Sequence, residues 1–329
     1  MPIYTDLTPK ASWREIAASP EERAALSPTV GRTMLSQLHL IRAFEEKVLD
    51  LAGQGLVHGP AHSAIGQEGG AVGSAMAMRG SDQINGSHRA HHQFLAKALA
   101  YAAPGGIDPE ANFGETLRTL SKRTLSEILG LAEGFCKGRG GSMHLRWAES
   151  GNLGTNAIVG GGVPMAAGAA WAHKNAGTGD VVYTYFGDGA VNIGSVLETM
   201  NIAAAWKLPI CFFIENNQYA VSTHIEEVTA EVRLSARGLA FGIPALKVDG
   251  MDPLAVYLAA EEANAIMRRG DGPVVIEADV YRFFHQNGAL PGSAFGYRSK
   301  EEEQAWRGRD PLAAAFVAHG QSLAEPPGR

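Results

Sequence analysis

Two short apolar runs in the middle of the chain are each followed by residues that can bind a metal ion. Residues 181–186 lead into the tetrapeptide GDGA at 187–190, and residues 210–214 lead into ENNQY at 215–219. If both runs are strands of one parallel sheet, their carboxyl ends meet at the same edge. Carboxylate and carboxamide oxygens suit a Mg²⁺ ion that also holds phosphate oxygens and water, and free N–H groups at a helix start can receive a phosphate. The pattern therefore predicts a magnesium and phosphate site containing Asp188.

Either of these polar segments alone is more typical of a simple turn. Their joint occurrence after two apolar runs, with Asn217 twenty-nine positions beyond Asp188, favours the metal site over two unrelated turns.

The elements that would position this site are short strands separated by helical segments. Fully apolar strands alternating with helices are the signature of a parallel sheet covered on both faces, so we expect a doubly wound α/β fold. The predicted strands span 181–186, 210–214, 246–248 and 274–280. The predicted helices of this part span 164–174, 192–206 and 253–269.

The N-terminal third has a different pattern, which predicts a helical layer beside the sheet. Apolar residues recur at three-to-four spacing over 33–52, which indicates an amphipathic helix. The sequence also predicts helices at 66–78, 88–101 and around 125–131, with an exposed loop at 102–114. We divide the chain into a polar arm (1–32), one α/β domain (33–312) and a short tail (313–329).

Composition narrows the function classes. A chain of 329 residues with 45% hydrophobic and 19% charged residues is neither disordered nor fibrous. A net charge of -6 gives no basic field for nucleic acid, and no apolar segment is long enough to span a membrane. Two distant cysteines form neither a disulfide framework nor a zinc site, so we expect a cytoplasmic protein. Forty glycines indicate segments that need bare backbone.

The stretch from Gly187 to Asn217 resembles the thiamine-diphosphate fingerprint, in which GDG is followed about thirty residues later by a closing NN. From about Gln37 to Leu312 the chain resembles the α subunit of the E1 component of 2-oxo acid dehydrogenase complexes, a group that includes pyruvate, branched-chain 2-oxo acid and acetoin dehydrogenases. The resemblance implies oxidative decarboxylation of a 2-oxo acid and acyl transfer to the lipoyl group of E2. It also implies thiamine diphosphate and Mg²⁺ as cofactors.

By the same resemblance, Mg²⁺ is bound by Asp188, Asn217 and the carbonyl of Tyr219. The residues that would lie against the diphosphate are Gly187, Gly189 and Ala190. Two further segments resemble diphosphate-binding elements of the family, SHRAH at 87–91 and the Tyr-Arg pair at 281–282. They imply that Arg89 and Arg282 bind phosphate oxygens, that His88 stands where tyrosine is common, and that His91 is a candidate catalytic residue.

The segment NAIVG at 156–160 resembles the family segment that holds the aminopyrimidine ring by main-chain groups, which implies cofactor contacts from Ala157 and Val159. Ala157 replaces a glycine, and its main-chain contacts survive if its φ is negative. The adjacent glycines do not form a clean dinucleotide-binding motif, because no apolar strand precedes them.

Three histidines are candidate catalytic residues, and the loop carrying one of them departs from the family pattern. His62, before Gly-Gln-Glu, resembles a histidine that faces the substrate, and GRGGSMH at 138–144 resembles a loop at the site entrance. After Arg282, Gln286 takes the place of the family's loop histidine and Asn287 that of a regulatory phosphoserine. We expect the neighbouring His285 to take over the role of the loop histidine.

The resemblance also implies partners. In the family, the glutamate that protonates the cofactor's pyrimidine belongs to a β subunit, so we expect an α₂β₂ heterotetramer that acts with an E2 lipoyl domain on a 2-oxo acid. The altered histidine loop leaves open an acetoin-cleaving or transketolase-like subunit without lipoyl transfer. A non-catalytic cofactor-binding or regulatory subunit is a third alternative.

Overall fold

The computed structural model describes residues 2–107 and 114–313. Over these residues the chain forms nine strands and eleven α-helices. In chain order they are β1 (Trp13–Ile16), α1 (Pro20–Ala25), α2 (Pro28–Gly53), α3 (Glu68–Met76), β2 (Gln83–Gly86), α4 (His91–Ala102), α5 (Glu115–Ile128), β3 (Asn152–Thr155), α6 (Gly162–Ala176), β4 (Val182–Gly187), α7 (Gly194–Ala205), β5 (Ile210–Asn216), β6 (Tyr219–Ala220), β7 (Thr223–His224), α8 (Ile225–Val228), α9 (Ala236–Leu239), β8 (Ala245–Asp249), α10 (Pro253–Arg268), β9 (Val274–Asp279) and α11 (Lys300–Arg307).

Seven strands form one parallel sheet in the order β1-β8-β9-β5-β4-β2-β3. In its centre, β4 pairs with β5 from Val182 opposite Ile210 to Gly187 opposite Glu215. Strand β5 then pairs with β9, from Cys211 opposite Val274 onward. A small antiparallel hairpin, β6-β7, follows β5 directly. The predicted mostly parallel α/β fold is confirmed.

Both faces of the sheet are covered, which explains why the central strands are apolar throughout. Phe212 and Ile214 of β5 pack on the face that carries α6 and α7, whereas Cys211 and Phe213 pack on the opposite face with α10. A third cluster of buried apolar side chains joins α2, α3 and α4. This cluster is the predicted N-terminal helical layer.

The strands that the sequence did not predict are short or lie at the edges of the sheet. Strand β2 has the sequence QING, β3 has NLGT and β1 has WREI, so none presents a continuous apolar run. Strand β1 pairs with β8 at one edge. The polar arm predicted at 1–32 therefore contains a strand of the main sheet at residues 13–16.

The predicted helices are all present: six have ends within five residues of the predicted bounds, and the seventh begins ten residues earlier than predicted. The helix predicted at 33–52 runs from Pro28 to Gly53, and the one predicted around 125–131 is Glu115–Ile128. Part of the predicted loop at 102–114 and all but the first residue of the predicted tail lie outside the described residues. The three-part division of the chain remains a prediction. Within the described residues, no helix is both long enough and apolar enough to cross a membrane.

Candidate active site

The carboxyl ends of four neighbouring strands bring the predicted site residues to one edge of the sheet. Asp188 follows β4, Asn217 follows β5, Arg89 lies just beyond β2 and Arg282 just beyond β9. All four side chains are buried, with exposed fractions between 1% for Arg282 and 6% for Asp188 and Asn217. Buried charge of this kind needs partners, so the edge is a candidate binding site.

The three predicted metal ligands lie together. Asp188 accepts a hydrogen bond from the Gly189 N–H at 2.7 Å through Oδ1, while its Oδ2 is buried without a partner. Asn217 Oδ1 accepts from the Tyr219 N–H at 3.3 Å. Burial raises the pKa of Asp188 to about 6, against the opposing effects of the Gly189 hydrogen bond and the Arg282 charge. The unpaired oxygen and the adjacent amide oxygen fit a hard cation.

No group of three or more His, Cys, Asp or Glu side chains that could hold a metal occurs within residues 2–107 and 114–313. The predicted site does not require one, because it has a single carboxylate and completes its ligands with a carboxamide and a backbone carbonyl.

Two arginines form the candidate phosphate site. Arg89 donates through Nη1 to the Ser63 carbonyl, and Arg282 donates through Nη2 to the Val221 carbonyl at 2.8 Å. The Nε of Arg282 is buried without a partner. Burial and the Arg282 charge lower the pKa of Arg89 to about 9, and burial also lowers the pKa of Arg282. Two buried cations with an unused donor fit a bound anion.

The glycine-rich turn beside these arginines leaves space. A Cβ atom at Gly187 would have only the Glu215 carbonyl within 4 Å, at 3.9 Å. A Cβ at Gly189 would instead meet the Cβ of Ala220, and Ala190 is buried in the same turn. Gly187 therefore borders space that no described protein atom fills, as a diphosphate position requires.

His62 and His88 lie in contact at this site. Their rings meet edge to face with centroids 4.6 Å apart. Burial and the Arg89 charge lower the pKa of His62 to about 4 and that of His88 to about 3. Both imidazoles are therefore neutral at pH 7, a state in which a ring nitrogen can accept a proton or a hydrogen bond.

His62 is placed by a close approach of two segments. Gly66 has a φ of +97°, and a Cβ at this position would collide with the carbonyl oxygen of Tyr281. The Phe283 N–H donates to the Ile65 carbonyl at 3.0 Å, which ties the two segments together. Position 66 therefore requires glycine, and this close contact brings the His62 segment beside Arg282.

His91 lies deeper than the other two histidines. Its Nδ1 is 3.2 Å from Glu45 Oε2, and its Nε2 is 2.9 Å from Ser142 Oγ. His91, Glu45 and Ser142 are all buried. Because both ring nitrogens are engaged, His91 joins α2, α4 and the GRGGSMH loop to one another in this structure.

The loop after Arg282 brings Gln286 to the arginines. Gln286 Oε1 accepts from Arg282 Nη1 at 2.6 Å and from Arg89 Nη2 at 3.1 Å. The ring of His285 packs edge-on to Phe295 and Tyr297, with centroids 5.1 and 5.6 Å away. In this structure the side chain at the family's histidine position contacts the phosphate site, and His285 packs on aromatic rings of its own segment.

The NAIVG segment follows β3 and is largely open. Val159 is 48% exposed. Asn156 Oδ1 accepts from the Ile158 N–H at 2.7 Å, which shapes the turn. Among the described non-glycine residues, positive φ occurs only at Lys137, Lys207, Gln218, Val221 and Phe295. The condition under which Ala157 can replace glycine is therefore met.

Three further residues organise the site, and two of them belong to no sequence motif. Glu302 accepts from the hydroxyls of Tyr219 and Tyr281, and buried Arg298 donates to the Arg282 carbonyl at 2.8 Å. Gln67 accepts from Asn217 at 3.3 Å. Gln67 belongs to the Gly-Gln-Glu motif after His62, so its place in that motif did indicate a position near the site. Nothing in the sequence linked positions 298 and 302 to the site.

Fold and site together define a doubly wound α/β protein whose buried, incompletely paired charged groups lie at the carboxyl ends of its strands. The family model for the dehydrogenase E1 component matches residues 109–319. A pyruvate dehydrogenase E1 α subunit of Zymomonas mobilis is 42% identical over 275 residues, 83% of this chain and 71% of the relative. One from Rhizobium meliloti is 36% identical over 309 residues, covering 92% and 82% of the two chains. The α subunit of a Bacillus subtilis acetoin:2,6-dichlorophenolindophenol oxidoreductase is 39% identical over 269 residues, covering 82% and 74%.

The chain belongs to the dehydrogenase E1 component family, as an α subunit. This family membership confirms the predicted class, a thiamine-diphosphate-dependent 2-oxo acid dehydrogenase E1. E1 α subunits act with a β subunit and an E2 component.

Proposed function

We propose that this chain holds thiamine diphosphate and Mg²⁺ at the strand ends and, with a β subunit, decarboxylates a 2-oxo acid and passes the acyl group to an E2 lipoyl domain. The observation that carries this proposal is the convergence of buried, incompletely paired groups of opposite charge: Asp188 Oδ2 and Arg282 Nε are both without partners. One fits a metal ion and the other a phosphate oxygen. When bound, the cofactor supplies the electron sink that decarboxylation of a 2-oxo acid requires.

Each group of this chain then has a role. Asp188, Asn217 and the Tyr219 carbonyl hold Mg²⁺, while Arg89 and Arg282 bind phosphate oxygens with the GDGA turn against them. His88 borders the diphosphate. Ala157 and Val159 contact the aminopyrimidine by main-chain groups. These assignments rest on the motifs and on the burial described above.

The histidines have different roles. Neutral His62 faces the substrate and holds or releases a proton there. We assign His91 a positioning role through Glu45 and Ser142, because both of its nitrogens are engaged. His285 remains a candidate for a role in acyl transfer only if its loop moves.

A β subunit completes the site in this proposal. Exposed apolar side chains occur on α6, at Met165 (65% exposed) and Trp171 (51%), and at Trp206 (55%) just beyond α7. The Lys174 side chain bonds the Trp206 carbonyl, which places these two helices side by side. Large exposed apolar side chains in one region mark a surface for a protein partner. We assign this surface to the β subunit and retain the prediction of a cytoplasmic α₂β₂ protein.

The experiment is co-purification of this chain with its β subunit and assay with a panel of 2-oxo acids and acetoin. Mass spectrometry of an added lipoyl domain detects the acyl group. We expect Mg²⁺- and thiamine-diphosphate-dependent acylation with at least one 2-oxo acid. Decarboxylation without any lipoyl acylation would contradict the proposed acceptor.

Acetoin cleavage is the second candidate, and the altered histidine loop is the observation that favours it. Gln286 rather than histidine contacts the arginines, and acetoin-oxidising α subunits are among the relatives. Turnover of acetoin in the same panel, without turnover of 2-oxo acids, would establish this alternative.

A further inference from the structure

Glu277 is a carboxylate inside the sheet that has no part in the proposed roles. It is fully buried on β9, with an exposed fraction of 0%. Val275, two positions earlier on the same face of the strand, belongs to the apolar cluster under α6 and α7. A carboxylate in such surroundings destabilises the fold unless hydrogen bonds replace its lost hydration. The partners of Glu277 therefore indicate what it does.

Three donors surround the Glu277 carboxylate. The N–H and the hydroxyl of buried Ser235 donate to Oε2 at 2.8 and 2.7 Å. The Ser235 oxygen in turn accepts from the Trp13 indole N–H at 3.1 Å. On the other side, the Asn216 side chain donates to Glu277 Oε1 through Nδ2 at 2.9 Å. Ser235 thus anchors the carboxylate, and the carboxylate holds Asn216.

The contact with Glu277 fixes the direction in which the Asn216 carboxamide faces. A carboxylate oxygen only accepts hydrogen bonds, so the NH₂ group of Asn216 must face Glu277. The carboxamide oxygen then faces the other way, where it accepts from the Gln218 N–H at 3.2 Å. One side chain therefore joins the buried carboxylate to the turn that follows β5.

This turn carries two of the three groups that we propose as Mg²⁺ ligands, the Asn217 side chain and the Tyr219 carbonyl. Gln218 lies between them and has a φ of 68°. Such a conformation costs free energy in a residue with a side chain, and it persists only where the surroundings hold it. The Asn216 oxygen holds the Gln218 N–H, and the Ile225 N–H donates to the Gln218 carbonyl at 2.9 Å.

We propose that Glu277 is a positioning residue for the metal site. It orients the Asn216 carboxamide, and this orientation holds the turn that presents Asn217 and the Tyr219 carbonyl. The inference rests on the proposed function, because it takes those two groups as Mg²⁺ ligands. Glu277 acts only through the direction of one hydrogen bond. Reversing one partner of that bond should therefore impair the metal site, whereas reversing both should restore it.

Glu277→Gln reverses one partner while it keeps the shape of the side chain. If the new amide oxygen accepts from Ser235, its NH₂ group faces that of Asn216. Turning Asn216 over instead removes the acceptor of the Gln218 N–H. The readout is calorimetric titration of thiamine diphosphate into the α/β assembly at a series of Mg²⁺ concentrations. We expect the Mg²⁺ concentration for half-maximal binding to rise by about tenfold or more, because a hydrogen bond to a charged group is lost.

The double variant Glu277→Gln with Asn216→Asp reverses both partners. The introduced amide donates to one oxygen of the introduced carboxylate, whose other oxygen still accepts from the Gln218 N–H. Because the two sites are coupled, the Mg²⁺ requirement should return to within about threefold of that of the unaltered protein. Asn216→Asp alone places two carboxylates side by side, and like charges in contact repel. It should be at least as impaired as Glu277→Gln.

Asp82→Asn is the matched control, because it also changes a fully buried carboxylate to a carboxamide. Asp82 lies just before β2, at the opposite end of the sheet, and accepts from Arg268 Nη2 at 2.6 Å and from the Val181 N–H at 2.9 Å. The change should lower the free energy of unfolding measured by urea denaturation. The Mg²⁺ requirement should stay within about twofold, since distant sites act independently.

An unchanged Mg²⁺ requirement in Glu277→Gln, or a rise no larger than that in Asp82→Asn, overturns the inference. A double variant as impaired as Glu277→Gln overturns it as well, and so does recovery in Asn216→Asp alone. If Glu277→Gln does not assemble, the double variant decides: a normal Mg²⁺ requirement supports the inference, and any other result overturns it. If the unaltered assembly binds thiamine diphosphate without Mg²⁺ dependence, the proposed metal site itself is wrong, and the inference is wrong with it.

Discussion

At the scale of single residues, the site is defined by groups whose hydrogen bonding is incomplete. Buried side-chain polar atoms normally have partners, and an unpaired one needs an explanation such as a bound water, ion or ligand. Asp188 Oδ2, Arg282 Nε and Asn85 Oδ1 are unpaired and buried at the same edge of the sheet. Backbone conformation is also unusual there, because Gln218 and Val221 have positive φ values of 68° and 57°. Such conformations cluster at binding sites, where the surroundings hold them.

Gly187 allows a test of where the diphosphate lies. Gly187→Val places a side chain in space that no protein atom fills, with φ at -84°, which valine adopts readily. We expect the free energy of unfolding to stay within about 1 kcal/mol of that of the unaltered chain. We also expect the loss of most of the affinity for thiamine diphosphate, as measured by calorimetric titration.

Gly80→Val is the matched control, because Gly80 is also free of neighbours within 4 Å but precedes β2 at the opposite end of the sheet. If Gly187→Val bound the cofactor as well as Gly80→Val does, the diphosphate would lie elsewhere.

His88 makes stability depend on pH. An unfolded histidine binds a proton with a pKa of about 6.5, whereas burial lowers the pKa of folded His88 to about 3. The unfolded chain therefore binds more protons below pH 6.5, and stability falls as the pH falls from about 6.5 toward 3. The loss is at most ~1.4 kcal/mol per pH unit for one such group.

We expect His88→Gln to lose less stability between pH 7 and 5 than the unaltered chain does, as measured by urea unfolding at both pH values. The exposed His58→Gln is the control. If stability depended on pH equally in all three proteins, the surroundings of His88 would not prevent it from binding a proton.

At the scale of elements, the GRGGSMH loop is held by one buried carboxylate at the end of α5. Glu127 accepts from the N–H groups of Cys136 (2.6 Å), Gly138 (3.0 Å) and Gly140 (2.6 Å). The same loop lines a cavity of about 640 Å³ together with Asn85 and Asn156. Glu127 therefore shapes the wall of a cavity that lies beside the predicted aminopyrimidine segment.

Glu127→Ala should destabilise the protein by about 2 kcal/mol or more, because three partly buried N–H groups lose a charged acceptor, and a hydrogen bond to a charged group contributes about 1.5–3 kcal/mol when solvent does not replace it. Chemical denaturation measures this loss. Glu133→Ala, at an exposed glutamate between α5 and that loop, should change stability by less than about 0.5 kcal/mol. Similar effects of the two substitutions would show that the three hydrogen bonds do not hold the loop.

How far the sequence predicts these elements depends on burial. Four strands, β4, β5, β8 and β9, have most of their side chains buried on both faces of the sheet. Their apolar runs predict the ends of each strand to within two residues. Strand β2, with QING, lies in the sheet interior but is too short and polar to show a strand pattern. Its partners β4 and β3 determine its conformation, and such pairing is invisible in a single sequence.

The same limit applies to the site. Asp188 and Asn217 were predictable because each directly follows an apolar strand. The contact of Gln286 with Arg89 joins residues 197 positions apart, and that of His91 with Glu45 spans 46 positions. Contacts of this kind depend on how loops pack on the finished sheet, so residue type and local spacing cannot predict them.

At the scale of the whole molecule, this chain contributes the metal and phosphate half of the proposed site. No group of this chain has been assigned to protonate the cofactor's pyrimidine, and the family assigns that glutamate to the β subunit. The exposed Ile158 and Val159 of the NAIVG segment lie at the open side of the site. We assign the partner's contribution to that side.

The chain alone should therefore show no decarboxylation above background, and addition of the β subunit should restore turnover by at least about a hundredfold. Release of CO₂ from a 2-oxo acid, with thiamine diphosphate and Mg²⁺ present, measures both states. Substantial turnover by the lone chain would mean that the acid lies within it.

The most direct test of the central claim is calorimetric titration of thiamine diphosphate into the α/β assembly with Mg²⁺, comparing the unaltered protein with Asp188→Ala. Asp271→Ala, an exposed aspartate just before β9 at the far end of the sheet, is the control. The account predicts that Asp188→Ala weakens Mg²⁺-dependent binding by more than about a hundredfold, about 2.7 kcal/mol, while Asp271→Ala binds normally. Unchanged affinity in Asp188→Ala would contradict the assignment of the metal and cofactor site to these strand ends.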